Sequence, residues 1–286
     1  MVSACKIRPP MKWHGGKFYL ARDIVQVFPP HHTYVEPFGG GASVLLNKEP
    51  AKVEVYNDLD ERLVRFFRVL RDNPEEFQRR ATLTPYSEAE FLAVTGGDEA
   101  ELDDIELARR DFVRWRLSIG GRGDSFSYTL HRPRRFMAGD VSGFLSIIDE
   151  QLPLIVDRLR TVQLLCRSAA DVIARWDSPE TLFYCDPPYV ATTRAKGSRD
   201  VYAHEMSEQD HLELGELLTR VQGKVVLSGY PSTLYDELYA GWYRVGFDIA
   251  NHAAGGKSKA RKCERLWLNY NPDQEGFPCV SQSSVS

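Results

Sequence analysis

The 286-residue chain is 43% apolar and 27% charged, the balance of a globular protein, and its length suits one large domain or a core domain carrying an insertion. No apolar stretch reaches the length of a membrane span and the leader "MVSACKIRPP" lacks an apolar core, so a cytoplasmic protein is expected. The five cysteines, Cys5, Cys166, Cys185, Cys263 and Cys279, show no C-x-x-C spacing, which argues against a zinc site or a disulfide framework and predicts reduced thiols and no metal.

In chain order, "KWHGGKFYLARDIVQVFP" reads as a Gly-Gly turn followed by a short helix ending at Pro29 and Pro30. "TYVEPFGGGASVLLNKE" reads as strand, glycine-rich loop, helix. "AKVEVYNDLDERLVRFFRVLRDNP" repeats that shape, with a strand over 52–56 and a helix carrying Leu59, Leu63, Phe66 and Leu70 on one face up to Pro74. The segment 75–155 breaks the rhythm: it is acidic at first, then a helix with Ile105, Ala108, Phe112 and Trp115 on one face, then rich in glycine, arginine and aromatics. From about residue 160 the alternation resumes through "VQLLCRSAADVIARW", "TLFYCDPP", the helix "SEQDHLELGELLTRVQG" with Ser207 and Asp210 in capping-box spacing and Gly223 at its end, "KVVLSGY", and a last strand "CERLWLNY". This alternation predicts an α/β fold with a mostly parallel sheet, a core domain of 1–74 and 156–272, an inserted, mainly helical domain of 75–155, and a disordered tail of 273–286.

A net charge of −4 taken alone disfavours nucleic acid, but the charge is segregated. "RRDFVRWRLSIGGRGDSFSYTLHRPRR" (109–135) carries Arg109, Arg110, Arg114, Arg116, Arg122, Arg132, Arg134 and Arg135 against Asp111 and Asp124, and a second basic cluster, "GGKSKARKCER", lies at 255–265. Two basic stretches containing glycine, one interleaved with aromatics, are consistent with a phosphate-binding surface or with a merely solvated face.

Two constellations carry chemistry. Gly39, Gly40 and Gly41 follow a strand and suit close approach of the backbone to a nucleotide-like ligand, although a tight turn is the plainer reading. Asp58 after the next strand has the acceptors for a ribose diol, or else Asn57 or Asp58 caps the helix. Later, "TLFYCDPPYV" ends an apolar strand with an acid followed by two prolines, neither of which can extend a sheet ladder.

In order and separation, "KWHGGK", "VEPFGGGAS", "YNDLD" and "FYCDPPYV", continued by "VVLSGYPS" and "KCERLWLNY", resemble the Dam-like class of DNA adenine-N6 methyltransferases. The resemblance implies a Rossmann-like sheet of the class I methyltransferase type, S-adenosylmethionine as cofactor, double-stranded DNA as partner, no metal, and 75–155 as the target-recognition domain. It implies that Asp186 and the carbonyl of Pro187 accept the two N–H bonds of adenine N6, that Pro187 and Pro188 hold them rigid, and that Tyr189 stacks on a base flipped out of the duplex. The cofactor would lie over Gly39, Gly40 and Gly41, with Phe38 beside the adenosyl group, Asp58 on the ribose and Asp186 near the methyl. Lys17 would approach the methionine end and Trp13 would help form the wall; a surface lysine and a core tryptophan are the plainer readings, and Glu36 is a further candidate.

DNA contact is expected from Arg122, Arg132, Arg134 and Arg135, from Phe126 or Tyr128 as a wedge in the base stack, and from Lys257, Lys259 and Arg261. The middle segment departs from the family's Asn-Gly and Arg recognition pattern, which leaves the target sequence open. Cys185, which precedes Asp186 within the strand, is expected to be a small buried residue and no nucleophile. Cytosine-N4 methylation and an inactive DNA-binding relative remain as alternatives, as do a partner restriction endonuclease and a monomeric or weakly dimeric state.

Overall fold

The computed structural model describes residues 6–190, 193, 204–250 and 261–275, with the backbone alone at 248–250, 261–262 and 275. The strands are β1 (Thr33–Glu36), β2 (Val53–Asn57), β3 (Pro133–Arg134), β4 (Met137–Ala138), β5 (Val162–Leu165), β6 (Thr181–Cys185), β7 (Lys224–Gly229), β8 (Tyr243–Ala250) and β9 (Arg261–Leu268). The helices are α1 (Ala21–Val25), α2 (Glu61–Asp72), α3 (Pro74–Thr82), α4 (Glu88–Gly96), α5 (Asp104–Leu117), α6 (Gly139–Ser146), α7 (Leu152–Leu159), α8 (Ala169–Trp176), α9 (Glu208–Leu218) and α10 (Thr233–Leu238). The chain divides into two compact units: one takes residues 1–22, 40–49 and 60–166, the other 23–39, 50–59 and 167–286. Among the described residues no helix is long and apolar enough to cross a membrane.

The second unit holds the sheet. Within it β2, β1, β6 and β7 run side by side and parallel, and β9 and then β8 add antiparallel at the β7 side. β1 and β6 are buried along their whole length, as expected for strands covered on both faces. Their register, Thr33 opposite Thr181 and Val35 opposite Phe183, brings the carboxyl ends of β1 and β6 to the same edge. The expected α/β fold with a mostly parallel sheet is therefore present. Helix α9 starts on the anticipated capping box, Ser207 accepting from the Asp210 N–H and the Asp210 side chain from the Ser207 N–H.

Three elements differ from expectation in this half of the sheet. β8 and α10 were not anticipated, because Gly246 and Asp248 interrupt the apolar pattern of "YRVGFDIA". Gly223 does not close α9, which ends at Leu218; a Cβ there would lie 2.9 Å from both the Phe183 ring and the Thr181 carbonyl, so close approach to β6 explains it. The tail from 276 onward lies outside the described residues, while Pro272–Glu275 forms one 3₁₀ turn.

The first unit is mainly helical and reaches beyond 75–155. The reason is α2, whose apolar stripe of Leu63, Phe66, Phe67 and Leu70 is buried together with α5. Phe66 stacks on Phe112 (6.1 Å, 9°) and meets Phe77 and Trp115 edge-on at 5.5 Å, and Phe144 joins Phe112 at 5.6 Å. Leu59 does not share that face, since it is exposed and precedes the cap. α2 begins after Asp60, whose carboxylate accepts from the Arg62 N–H, and α3 begins on Pro74 at its first turn. α6 runs into α7 through a π-turn at Ile147–Gln151, just ahead of Pro153.

Candidate active site and nucleic-acid interface

At the carboxyl edge of the sheet, β6 stops at Cys185 and Asp186 is the first residue beyond it, half-buried, followed by Pro187 and Pro188. The prolines remove two N–H donors at the point where the ladder must end and hold the backbone in a narrow range of φ. Tyr189 is 7% exposed, its hydroxyl donates to the carboxylate of Glu264 on β9, and its ring stands edge-on to Tyr230 at 4.5 Å and 72°. Ser228, at the end of β7, donates to the same Glu264 oxygen at 2.7 Å. Burial, and after it the Asp186 carboxylate, push the Tyr189 hydroxyl and the Cys185 thiol well up, so both stay protonated. Cys185 is fully buried and a poor nucleophile, as expected.

The first two strands build the other part of that edge. Asn57 ends β2 and ties it to its neighbours: its amide donates to the carbonyls of Pro37 (2.9 Å) and Arg167 (3.0 Å), its Oδ1 accepts from the Arg167 N–H, and its carbonyl accepts from Gly39 N–H at 2.8 Å. Asp58 follows, half-buried, and does not cap α2, because Asp60 does. That finding removes the capping explanation for Asp58. Phe38, half-buried, precedes Gly39 on the loop after β1. Glu36 is buried and accepts a hydrogen bond from the Tyr34 hydroxyl at 2.6 Å, a core pairing within the strand.

Each glycine has a steric reason. A Cβ on Gly39 would fall 2.2 Å from the Tyr56 ring, and one on Gly40, where φ is +48°, would fall 2.7 Å from Trp13 Nε1. A Cβ on Gly41 would approach Trp13 Cβ at 3.2 Å. Trp13 itself is half-buried and meets Trp115 edge-on at 6.1 Å. Lys17 is buried, not a surface lysine, and its ammonium donates to the Gly15 carbonyl at 2.7 Å. The stretch after the glycines is not the expected helix: Ala42 takes φ +55° and only a 3₁₀ turn, Leu45–Asn47, fits before Pro50.

The arginine-rich segment separates into two groups. Arg109, Arg110, Arg114 and Arg116 work internally. Arg109 pairs with Glu90 and Glu106, Arg110 with Glu106 and Glu99, and Arg114 with Asp111 and Glu99, while Arg116 donates to the Gly143 carbonyl and burial lowers its pKa to about 10. Arg122, Arg132 and Arg134 are exposed, with no ion pair among the described residues. Arg135 is exposed too, but pairs with Glu150 at 2.5 Å. Phe126 is half-buried against Tyr86 and Phe91, whereas Tyr128 stands exposed. Lys257 and Lys259 lie outside the described residues, and Arg261 is described only by its place at the start of β9.

Sequence reasoning missed two features here. β3 and β4 form a two-residue hairpin whose turn is Arg135 (φ +52°) and Phe136 (φ +61°), and the Phe136 ring is fully exposed. Such a turn normally carries Asn-Gly, so "RPRRFMA" gave no turn signal. Glu264 was the other, and its signal was present: a lone acid inside the apolar run "CERLWLNY".

A mostly parallel sheet with a glycine loop after β1, an acid after β2 and Asp-Pro-Pro-Tyr after β6 defines a class I methyltransferase. The family model for D12 class N6 adenine-specific DNA methyltransferases matches residues 13–253, and the chain belongs to that family. It is similar to the type II methyltransferase M1.LlaDCHI of Lactococcus lactis subsp. cremoris, 26% identical over 89% of this chain and 92% of that one. The DNA adenine methylases of Salmonella typhi and Escherichia coli strain K12 are each 25% identical, over 93% and 82% of this chain and 96% and 84% of theirs.

The protein methylates N6 of adenine in DNA with S-adenosylmethionine as methyl donor. Within the second unit the residue types suit the nucleoside part of that cofactor: a carboxylate at Asp58 for a diol and an apolar ring at Phe38 for a base. Among the described residues no group of His, Cys, Asp or Glu is arranged to hold a metal ion.

Proposed function

We propose that Asp186 and the Pro187 carbonyl are the acceptors for the adenine amino group, on a base flipped from the duplex and stacked on Tyr189. The observation that carries this reading is the position of Asp186, one residue beyond a fully buried strand and fixed by two prolines. Adenine N6 is a poor nucleophile because its lone pair is delocalised into the ring. Two acceptors on its N–H bonds favour pyramidal geometry and free the lone pair for attack, so catalysis is chiefly positioning. The cofactor supplies an electrophilic methyl on a sulfonium. Asp58, Phe38 and Gly39 are assigned to its nucleoside part, Lys17 and Trp13 with Gly40 and Gly41 to its methionine part. The reading needs neither a metal nor a covalent enzyme intermediate.

The segment 75–155 is assigned to DNA recognition, with Arg122, Arg132 and Arg134 on phosphate or guanine. As the wedge in the base stack we favour Phe136 over Phe126, since Phe136 is exposed at a hairpin tip flanked by arginines and held at a backbone conformation that costs energy. Tyr128 stands second. Action in the cytoplasm as a monomer or weak dimer, with or without a partner endonuclease, completes the proposal.

The test is Asp186→Ala. It is expected to abolish formation of N6-methyladenine in unmethylated genomic DNA, read by nucleoside mass spectrometry, while cofactor binding persists. A rate within a few-fold of wild type refutes the assignment, and N4-methylcytosine as the wild-type product refutes adenine as the target.

A further inference from the structure

Among the buried carboxylates of the second unit, Glu36, Glu54 and Glu264, it is Glu264 that is hydrogen-bonded to the Asp-Pro-Pro-Tyr segment, and the transfer reaction, as assigned above, does not use it. Glu264 sits on β9 opposite Phe247 of β8, is 3% exposed, and receives hydrogen bonds from the Tyr189 hydroxyl and from Ser228. A carboxylate in such a place is costly unless donors are aimed at it, and here two hydroxyl groups from two other segments converge on one oxygen. One of these donors belongs to the Asp-Pro-Pro-Tyr segment itself.

Two contacts from different directions therefore constrain the ring of Tyr189. Its hydroxyl is tethered at one end by Glu264, and its ring packs against Tyr230 at 4.5 Å with the two planes 72° apart. A tyrosine so held has one ring plane, whereas a phenylalanine in its place would retain the edge contact and lose the tether. Because the Tyr189 hydroxyl stays protonated through burial, it remains a donor across the working range of pH.

We propose that Glu264 is a positioning residue for methyl transfer, fixing through the Tyr189 hydroxyl the plane of the ring on which the target base rests. Ser228 completes the device by orienting the carboxylate. The inference rests on the reading of Tyr189 as the stacking platform, so the experiment separates the two.

Single-turnover transfer of labelled methyl to duplex DNA is measured for Tyr189→Phe, Glu264→Ala, Glu264→Gln and the double variant Tyr189→Phe with Glu264→Ala. Cofactor affinity is measured by calorimetry, and target-base extrusion by the fluorescence of 2-aminopurine placed at the methylated position. Tyr189→Phe and Glu264→Ala are each expected to slow transfer about 10- to 100-fold, the scale of misplacement by about 1 Å, with cofactor affinity within about twofold of wild type. The double variant is expected to be no slower than either single one, because both remove the same tether. Glu264→Gln, whose amide oxygen still accepts both hydroxyl groups, is expected to restore most of the rate.

A folded Glu264→Ala protein that transfers at the wild-type rate overturns the inference, as do losses that multiply in the double variant. Should Glu264→Ala fail to fold, Tyr189→Phe decides alone: a wild-type rate refutes the tether. Tyr189→Ala tells the two readings apart. If it transfers normally, the stacking platform itself is wrong; if it is slow while Tyr189→Phe and Glu264→Ala are normal, the platform stands and the positioning role of Glu264 falls.

Discussion

The exposed arginines of the recognition segment give a quantitative prediction about salt. Neutralising a phosphate on duplex DNA releases counterions, and each contact adds about 0.9 to the slope of log affinity against log salt. Arg122, Arg132 and Arg134 point no charge at an acid among the described residues, so each is available to a phosphate. Replacing all three with alanine should flatten the slope by about 2.7, and raising salt from about 50 to about 200 mM should then cost about 40-fold less affinity than it costs the wild type. Arg135 is the internal control. Its guanidinium lies 2.5 Å from Glu150, so Arg135→Ala removes one half of a neutral pair and exposes an anion rather than vacating a phosphate contact.

The assay is fluorescence anisotropy of a labelled duplex titrated at several salt concentrations. Glu150→Gln should do the opposite of the triple variant, releasing Arg135 and steepening the slope by about 1. Phe136→Ala, which removes an uncharged wedge, should weaken binding by about 1–3 kcal/mol at every salt concentration and leave the slope alone. An unchanged slope in the triple variant, or a full-sized loss from Arg135→Ala alone, refutes the division of these arginines into free and paired groups.

Three further outcomes follow from the catalytic unit. Asp58→Ala should raise the cofactor dissociation constant about 10-fold or more by calorimetry, on the scale of hydrogen bonds to a charged group; a normal affinity would remove Asp58 from the ribose. Gly39→Ala should lose about 1–3 kcal/mol in urea unfolding, since its Cβ meets the Tyr56 ring at 2.2 Å; wild-type stability would mean that the loop relaxes freely. Cys185→Ala should keep its transfer rate within a few-fold, and the native thiol should resist iodoacetamide because burial holds it protonated; loss of transfer in a folded variant would bring the thiol into the chemistry.

What could be read from the sequence was whatever a short stretch of chain decides by itself. The strand ending in "CDPPY" is such a case: an apolar run, then prolines that cannot extend a ladder, fixes both the strand and the position of Asp186 without reference to any partner. The capping box of α9 is another. By contrast, the helix expected after the glycine loop failed because Pro50 and the left-handed Ala42 leave too few residues between them for more than a 3₁₀ turn. Strand β8 was passed over because a glycine and two charged residues on an edge strand mask its alternation.

The basic run shows where local reading must stop. "RRDFVRWR" has the composition of a phosphate-binding stripe, yet Arg109, Arg110 and Arg114 are paired with Glu90, Glu99, Glu106 and Asp111, Arg116 donates to the Gly143 carbonyl, and Glu90 and Glu99 come from chain outside α5. The acidic stretch that precedes the run is thus its structural counterpart, and the two opposite biases cancel inside the fold. The part of the run we assign to DNA lies beyond α5, where glycines and a hairpin replace the helix and no acid is brought opposite Arg122, Arg132 or Arg134 among the described residues. The same logic applies to Glu264: it reads as an oddity in an apolar strand until β9 is laid beside β7, after which Ser228 and Tyr189 converge on it and the oddity becomes a tether on the Asp-Pro-Pro-Tyr segment. Segregated charge in a sequence marks the surfaces that need a partner, and only the fold tells which of them find it within the chain.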